Sequence, residues 1–304
     1  MTNVVLNQQL ALISVIAIYA SMALYAIGFV SLVMNLSRLA SEKKSVRQSA
    51  SKLERVGLIV TAGAAAIHGL GVVTRGIAAG RVPWANMYEF SISGSFVVMV
   101  IFLISQTIRK DIRFISTFVT GFVLLILGTA TSIFYVQLKT LMPALQSYWL
   151  VIHVTVAVIA TAFFNIAAGL SIAYLFKTAG WLQTMKGKTV AKVRRILALF
   201  PENEKLERLS YRFNIIGFIL WSWTLIAGAI WAERAWHRYW GWDTKEVWTF
   251  IIWTIYAGYL HANATRGWTG KRSAWLVVVG FTAILFNFTI VNLYFKGLHV
   301  YSGL

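Results

Sequence analysis

The sequence predicts an all-α protein, a polytopic membrane helical bundle with about eight transmembrane helices in a single integral membrane domain over residues 1–304. Three observations predict it. Hydrophobic residues make up 58% of the chain and charged residues 12%, against about 45–50% and about 25% in soluble domains. Eight separate stretches are apolar over the roughly 20 residues needed to cross a hydrocarbon layer of about 30 Å. The cations, finally, are crowded into alternate loops.

The apolar stretches cover approximately residues 10–36, 56–74, 87–108, 114–135, 148–176, 213–232, 247–264 and 273–295. The first is too long for the apolar region of a signal peptide, and no basic segment precedes it, so it reads as a retained helix. The first and fifth are long enough to tilt or to extend past the bilayer. Of the 28 Lys and Arg residues, 21 fall in four loops, 38–55, 109–113, 177–212 and 266–272. Cytoplasmic loops collect Lys and Arg, so these four are expected inside and both termini on the extracytoplasmic face. The basic loop 177–212, which also carries Glu202, Glu204 and Glu207, is expected to be helical and to lie against the cytoplasmic leaflet.

That distribution accounts for the net charge of +18 without nucleic acid. The basic stretches also lack the aromatic–basic alternation of RNA binders, so no nucleic-acid partner is expected. There is no cysteine. Thiolate metal sites and thiol exchange by this chain are thereby excluded, and metal chemistry falls to His, Met, carboxylate or a bound cofactor.

Eight of the thirteen tryptophans lie between Trp221 and Trp253. Between spans six and seven, residues 232–247 are expected to form an external tryptophan-rich loop, within the run WAERAWHRYWGWDTKEVW from Trp231 to Trp248. An interfacial aromatic belt would scatter its rings over every span. Here they are concentrated and interleaved with charge. Indole faces are flat, rigid and apolar, and Arg234, Arg238 and Lys245 suit the anionic edge of a flat ligand, Arg through a bidentate clamp. Asp243 and Glu246 are placed to fix those cations or the loop. A porphyrin fits this description; from chemistry alone, a quinone or a lipid headgroup fits nearly as well.

The residues Trp236, Tyr239, Trp240, Gly241, Trp242, Asp243, Lys245, Glu246 and Trp248 resemble the WWD motif of the haem-handling superfamily, and in particular the CcsA (ResC) family of system II cytochrome c biogenesis. The similarity continues through Trp253, Tyr256 and Tyr259-Leu260-His261 to Gly297-Leu298-His299, with a fainter match at Pro83-Trp84-Ala85-Asn86-Met87-Tyr88-Glu89. Thr244 stands where that family usually carries Pro, and His237 where Gly is common.

Histidines inside a membrane are rare and are functional candidates, and imidazole serves as an axial haem ligand. His153, near the outer end of span five, and His299, just past span eight, are expected on the face that carries the tryptophan loop. The resemblance implies that they are the paired external ligands of haem b and the catalytic centre. His261 is too deep to share their iron; the residue reading leaves open a buried, hydrogen-bonded histidine, and the resemblance implies an intramembrane haem site completed by a partner. His68 near Arg75, and the Arg81–Glu89 stretch, are expected as further walls of the haem site, beside the alternatives of structural hydrogen bonding and interface anchoring.

The resemblance implies a cytochrome c haem lyase (synthase) subunit. It would carry haem to the external face and present it for thioether attachment to a CxxCH apocytochrome c. Its implied partners are a ResB/CcsB-type membrane subunit and, optionally, a thiol-reducing membrane protein, in a bacterial plasma or thylakoid membrane. Two alternatives stand beside it: a haem exporter or chaperone without ligation activity, and a regulatory membrane protein of the HemX kind, against which the tryptophan motif, His153 and His299 count.

Overall fold

Hydrocarbon offers no partner to a backbone amide, so a spanning segment must close its own hydrogen bonds. The computed structural model describes residues 7–41, 43–139, 146–295 and 297–298, and every regular element among them is helical. In chain order these are α1 (Gln8–Leu39), α2 (Lys44–Gln48), α3 (Ala50–Ala79), α4 (Met87–Ile108), α5 (Ser116–Ser132), α6 (Tyr148–Lys177), α7 (Gly180–Thr184), α8 (Lys188–Ala198), α9 (Asn203–Trp236), α10 (Thr244–Arg266), α11 (Lys271–Phe286) and α12 (Asn292–Tyr294). A 3₁₀ turn, Lys110–Ile115, leads into α5, and a π-helical stretch, Asn287–Val291, joins α11 to α12.

Among the described residues, seven stretches are long and apolar enough to cross a membrane: Gln8–Leu39, Ser45–Ala79, Met87–Ile108, Lys110–Ser132, Tyr148–Lys177, Asn203–Trp236 and Lys271–Tyr294. The protein is a polytopic membrane bundle, and seven of the eight expected spans meet the criteria of both length and composition. The remaining segment, expected over 247–264, is α10. At 23 residues it extends about 35 Å at helical rise, but Trp, Tyr, Thr, His and Asn dilute its apolar character. It packs on α9 and α11 all the same.

Two long antiparallel pairs dominate the packing, α1 with α3 and α6 with α9, with α4, α5 and α11 filling the space between them. Three of the four basic loops meet at one end. There Lys205 reaches Asp111 at 3.1 Å, Glu207 accepts from the Gly270 amide at 2.7 Å, and Lys177 Nζ donates to the carbonyls of Phe200 and Pro201 at 3.1 and 2.6 Å. As expected, the 177–212 stretch is largely helical, containing α7, α8 and the start of α9.

At the opposite end, a buried ion cluster fixes the approach to α4. Glu89 is fully buried, and accepts from Arg75 Nε at 3.1 Å and from Arg81 NH1 at 2.6 Å. It also accepts from the Ala85 amide at 3.1 Å. Arg75 donates onward to the Val136 carbonyl at 3.1 Å and lies 5.2 Å from the centre of the Tyr88 ring. The carboxylate thus ties α3, the 81–86 connection and the first turn of α4 into one unit. Removing one partner of a buried pair leaves a stranded charge, at a cost of about 3–5 kcal/mol. Glu89→Ala should lower the unfolding free energy in detergent by about that amount, whereas Glu89→Ala combined with Arg75→Met should recover part of it. Equal loss in both variants, measured by denaturant titration, would show that the ion pair is not the source.

Candidate functional site

Besides α1, capped by Asn7 through the Leu10 amide, three helices begin at the end of the bundle that holds this ion cluster, each with a side-chain cap. The Asn86 side chain accepts from the Glu89 amide at 2.9 Å and starts α4. Ser147 caps α6 through the Trp149 amide at 3.3 Å. Asp243 and Glu246 form a reciprocal capping box on α10. Such caps satisfy amides that the helix itself leaves unpaired, and the helix dipole leaves each N-terminus partly positive.

Between these termini lies a cavity of about 220 Å³. His153, in the second turn of α6, is one of its walls, together with Trp84, Trp231, Lys245, Asn287 and Phe288. The His153 ring stacks on Trp231, centroids 5.9 Å apart and planes 19° apart. It lies against Gly228 of α9, where a Cβ would come within 2.8 Å of the ring, so only glycine leaves room for it. Its Nδ1 is 2.9 Å from the Thr224 carbonyl. A carbonyl can only accept, so Nδ1 carries the proton and Nε2 the lone pair. A backbone carbonyl that fixes the tautomer of a ligating histidine is the usual outer-shell arrangement.

The tryptophan segment is tighter than expected. The loop taken as 232–247 is reduced to residues 237–243, because α9 runs on to Trp236 and α10 begins at Thr244. His237 ends α9 in the left-handed conformation, φ 55°, the geometry that favours glycine at a helix C-terminus. Glu246 accepts from the amides of Gly241 and Asp243 at 2.8 and 3.0 Å and faces Arg238 at 3.4 Å. The Arg238 guanidinium fills the space that a Cβ on residue 241 would need. Thr244, in the position where Pro would preset the first helical turn, is instead held by the capping box.

The indoles divide into two groups. Trp236 packs edge-on against the buried Trp231 at 4.8 Å, and Trp248 lies tilted against Phe286 at 4.5 Å. Trp240 and Trp242 meet edge to face at 5.8 Å, and Trp242 is 76% exposed, with Tyr239 64% exposed. Trp242 also has φ 59°, a strained conformation for a bulky side chain. An exposed ring held on a strained backbone is an arrangement that folding alone does not require.

Lys245 reaches across to donate to the Asn287 carbonyl of the π-helical stretch at 2.5 Å. Asp243 accepts from the Leu298 amide at 3.0 Å. The tryptophan loop therefore holds the last described residues of the chain at this end. His299, next in sequence, lies outside the described residues.

The other expected site residues are placed differently. His68 does not line the cavity. It is fully buried, with Nε2 2.9 Å from the Ile92 carbonyl and Nδ1 3.4 Å from the Tyr25 hydroxyl; both nitrogens are occupied, which makes it a core histidine joining α1, α3 and α4. Arg81 and Glu89 brace the 84–90 segment from behind and are not cavity walls. His261 is exposed on the flank of α10, about 20 Å along the helix from Trp248. Of the expected 81–89 stretch, Trp84, Asn86 and Met87 do line the cavity, as does Trp231 of the tryptophan-rich run, whereas Thr224, Gly228 and Asn287 were not foreseen. The available signal for Asn287 was an Asn in the last apolar span.

These features define a class: a helical membrane protein with an aromatic, capped cavity at one end and a cation-rich face at the other. The chain belongs to the cytochrome c assembly family, whose description, "Cytochrome C assembly protein", matches residues 84–299. It is similar to the cytochrome c biogenesis protein CcsA of Prochlorococcus marinus, 34% identical over 265 residues, covering 80% of this chain and 83% of the relative. CcsA of Porphyra purpurea is 31% identical over 284 residues, 84% and 89% of the respective chains. Among solved structures, the fold is similar to the cytochrome c heme lyase CcmF, with a TM-score of 0.65 at 15% identity, covering 92% of this chain and 46% of that one.

Glycine takes up a left-handed φ without the penalty that other residues incur. His237→Gly removes a left-handed penalty of about 1–2 kcal/mol, less the greater chain entropy of glycine, and should therefore stabilise the protein. Denaturation showing a loss instead would reveal a stabilising contact of the imidazole.

Proposed function

We propose that this protein is the haem-handling subunit of a cytochrome c synthase, presenting haem at the tryptophan-loop end for attachment to a CxxCH apocytochrome. The single observation that carries this reading is His153, an imidazole in the cavity wall beside the tryptophan loop, stacked on Trp231 and oriented by the Thr224 carbonyl. The names of its relatives, cytochrome c biogenesis protein CcsA and, at the level of fold, cytochrome c heme lyase, point the same way. The loop charges favour an extracytoplasmic location for this end and for both termini, in a bacterial plasma or thylakoid membrane.

In this reading haem b is cargo, gripped by His153 and His299. Each thiol of the apocytochrome adds across one vinyl group. A sulfur–carbon bond forms, the thiol proton ends on the neighbouring vinyl carbon, and no external oxidant is consumed. No side chain of this protein forms or breaks a bond; its contribution is to hold the reacting partners in place. Trp240 and Trp242 offer exposed faces to the ring, while Trp236, Trp248, Asp243 and Glu246 keep the loop in shape. His261, exposed on the α10 flank, is open to a ResB/CcsB-type subunit that would supply a second ligand and pass haem into this chain. A thiol-reducing membrane protein would keep the apocytochrome thiols available.

The test is haem spectroscopy on the purified protein, with and without its partner subunit. His153→Ala and His299→Ala should each convert a low-spin, six-coordinate spectrum to a high-spin one and reduce cytochrome c yield at least about 10-fold. Unchanged spectra and yield in both would remove the ligand assignment. His261→Ala should lower haem occupancy only when the partner is present; full occupancy would end the conduit role while sparing the outer site.

A further inference from the structure

The strap between α6 and α9, at the end of the bundle away from the tryptophan loop, carries charge of one sign only. Residues 178–201 include Lys186, Lys188, Lys192, Arg194 and Arg195, and no Asp or Glu. Helix α8 sorts these cations. At about 100° per residue, Lys188, Lys192 and Arg195 fall on one side of the helix and Val190, Val193 and Leu197 on the other. The fold keeps that division. Lys188, Lys192 and Arg194 are exposed, whereas Val190, Val193, Ile196 and Leu197 are half-buried, and α8 packs on α6 and α1. The apolar side leans on the bundle, and the cationic side is turned away from it.

Nothing within the strap offsets this charge. Lys188 and Lys192 are four residues apart, and Lys192 and Arg195 three, spacings at which like charges repel on a helix. Lys188 also stands in the first turn of α8, which has no acidic residue and no side-chain cap, and there the helix dipole disfavours a cation. Nearby acids are committed elsewhere: Asp111 to Arg109 and Lys205, Glu207 to the Gly270 amide. Among the described residues, Lys186, Lys188 and Lys192 have no ion-pair partner. An anion from outside the chain would relieve all of these contacts together.

Position decides where that anion comes from. Lys177, the last residue of α6, donates through Nζ to the carbonyls of Phe200 and Pro201 at 3.1 and 2.6 Å. The strap therefore returns to the level at which it left, close to where α6 and α9 emerge from the hydrocarbon. Trp181, Met185 and Leu199 flank α8 and are each about half exposed, side chains that suit the boundary between headgroups and acyl chains. We infer that α8 binds the headgroups of anionic phospholipids. Lys186, Lys188, Lys192 and Arg194 meet the phosphates, and Trp181, Met185 and Leu199 enter the interface. Because the strap joins the basic ends of α6 and α9, this docking braces, from the far end, the helix pair that confines His153. It does not depend on the haem-presenting role.

The chain has no cysteine, so one introduced thiol carries a nitroxide label at a single place. Full-length protein with Ala191→Cys, labelled beside the cationic side of α8, is reconstituted in nanodiscs of phosphatidylcholine with and without added phosphatidylglycerol. The label should be immobilised and shielded from a water-soluble nickel relaxant only when phosphatidylglycerol is present. A cation near an anionic surface contributes roughly 5-fold in binding, so Lys188→Gln with Lys192→Gln should raise the phosphatidylglycerol content needed by roughly 25-fold. Lys52→Gln with Arg55→Gln, exposed substitutions on α3, should leave the midpoint unchanged. Identical spectra in the two lipids, or an equal shift from the α3 pair, would overturn the lipid site. Immobilisation that requires a co-reconstituted protein subunit, whatever the lipid, would make α8 a protein contact and likewise overturn it.

Discussion

An amide buried in hydrocarbon has no solvent to bind, and that constraint decides where this protein can keep its chemistry. Within the spans the backbone is closed on itself, so amides and carbonyls become available only where helices begin, end or change pitch. The candidate site is built from such places: the capped starts of α4, α6 and α10, the left-handed end of α9 at His237, and the wide turns after Phe286. Glu246 shows the economy of the arrangement, since one carboxylate supports the start of α10, closes the tryptophan turn and faces Arg238.

The α6–α9 pair does for His153 what the caps do for the loop. Gly228 provides the room, Trp231 the flat bed and the Thr224 carbonyl the proton acceptor, all from one face of α9. A side chain fixed on three sides by a neighbouring helix loses little further freedom on engaging a ligand, which is the physical content of preorganisation. The buried Arg75–Glu89–Arg81 cluster plays the corresponding part across the cavity, holding the segment that brings Trp84 and Asn86 to its wall.

Much of this was legible in the sequence, for reasons that differ from element to element. Apolar length gave the helices within a few residues at α4, and the WWD residues identified the loop and its relatives. Helix α10 has the length of a span but a less apolar composition, because Trp, Tyr, Thr, His and Asn stand where aliphatic residues would; the two criteria part company there. The loop was drawn too long because nothing in a one-dimensional pattern announces that His237 adopts the left-handed geometry, or that Glu246 folds back to cap Asp243. His68 looked like a site residue because an intramembrane imidazole is uncommon; only the three-dimensional neighbours, Tyr25 and the Ile92 carbonyl, identify it as part of the core. The cavity could not be read at all, since its walls come from six separated stretches of chain.

The π-helical stretch has a bearing on how the last helix is to be interpreted. Each residue of an α-helix advances about 100° around the axis, and a π-type turn inserts an additional residue into that count. Helical-wheel faces drawn from α11 therefore lose phase after Phe286, and residues such as Asn292 reach the cavity at an azimuth that an unbroken wheel would misassign. Relatives that lack or shift this insertion would rotate the whole terminal segment relative to the tryptophan loop, so alignments through residues 287–291 carry angular as well as linear meaning.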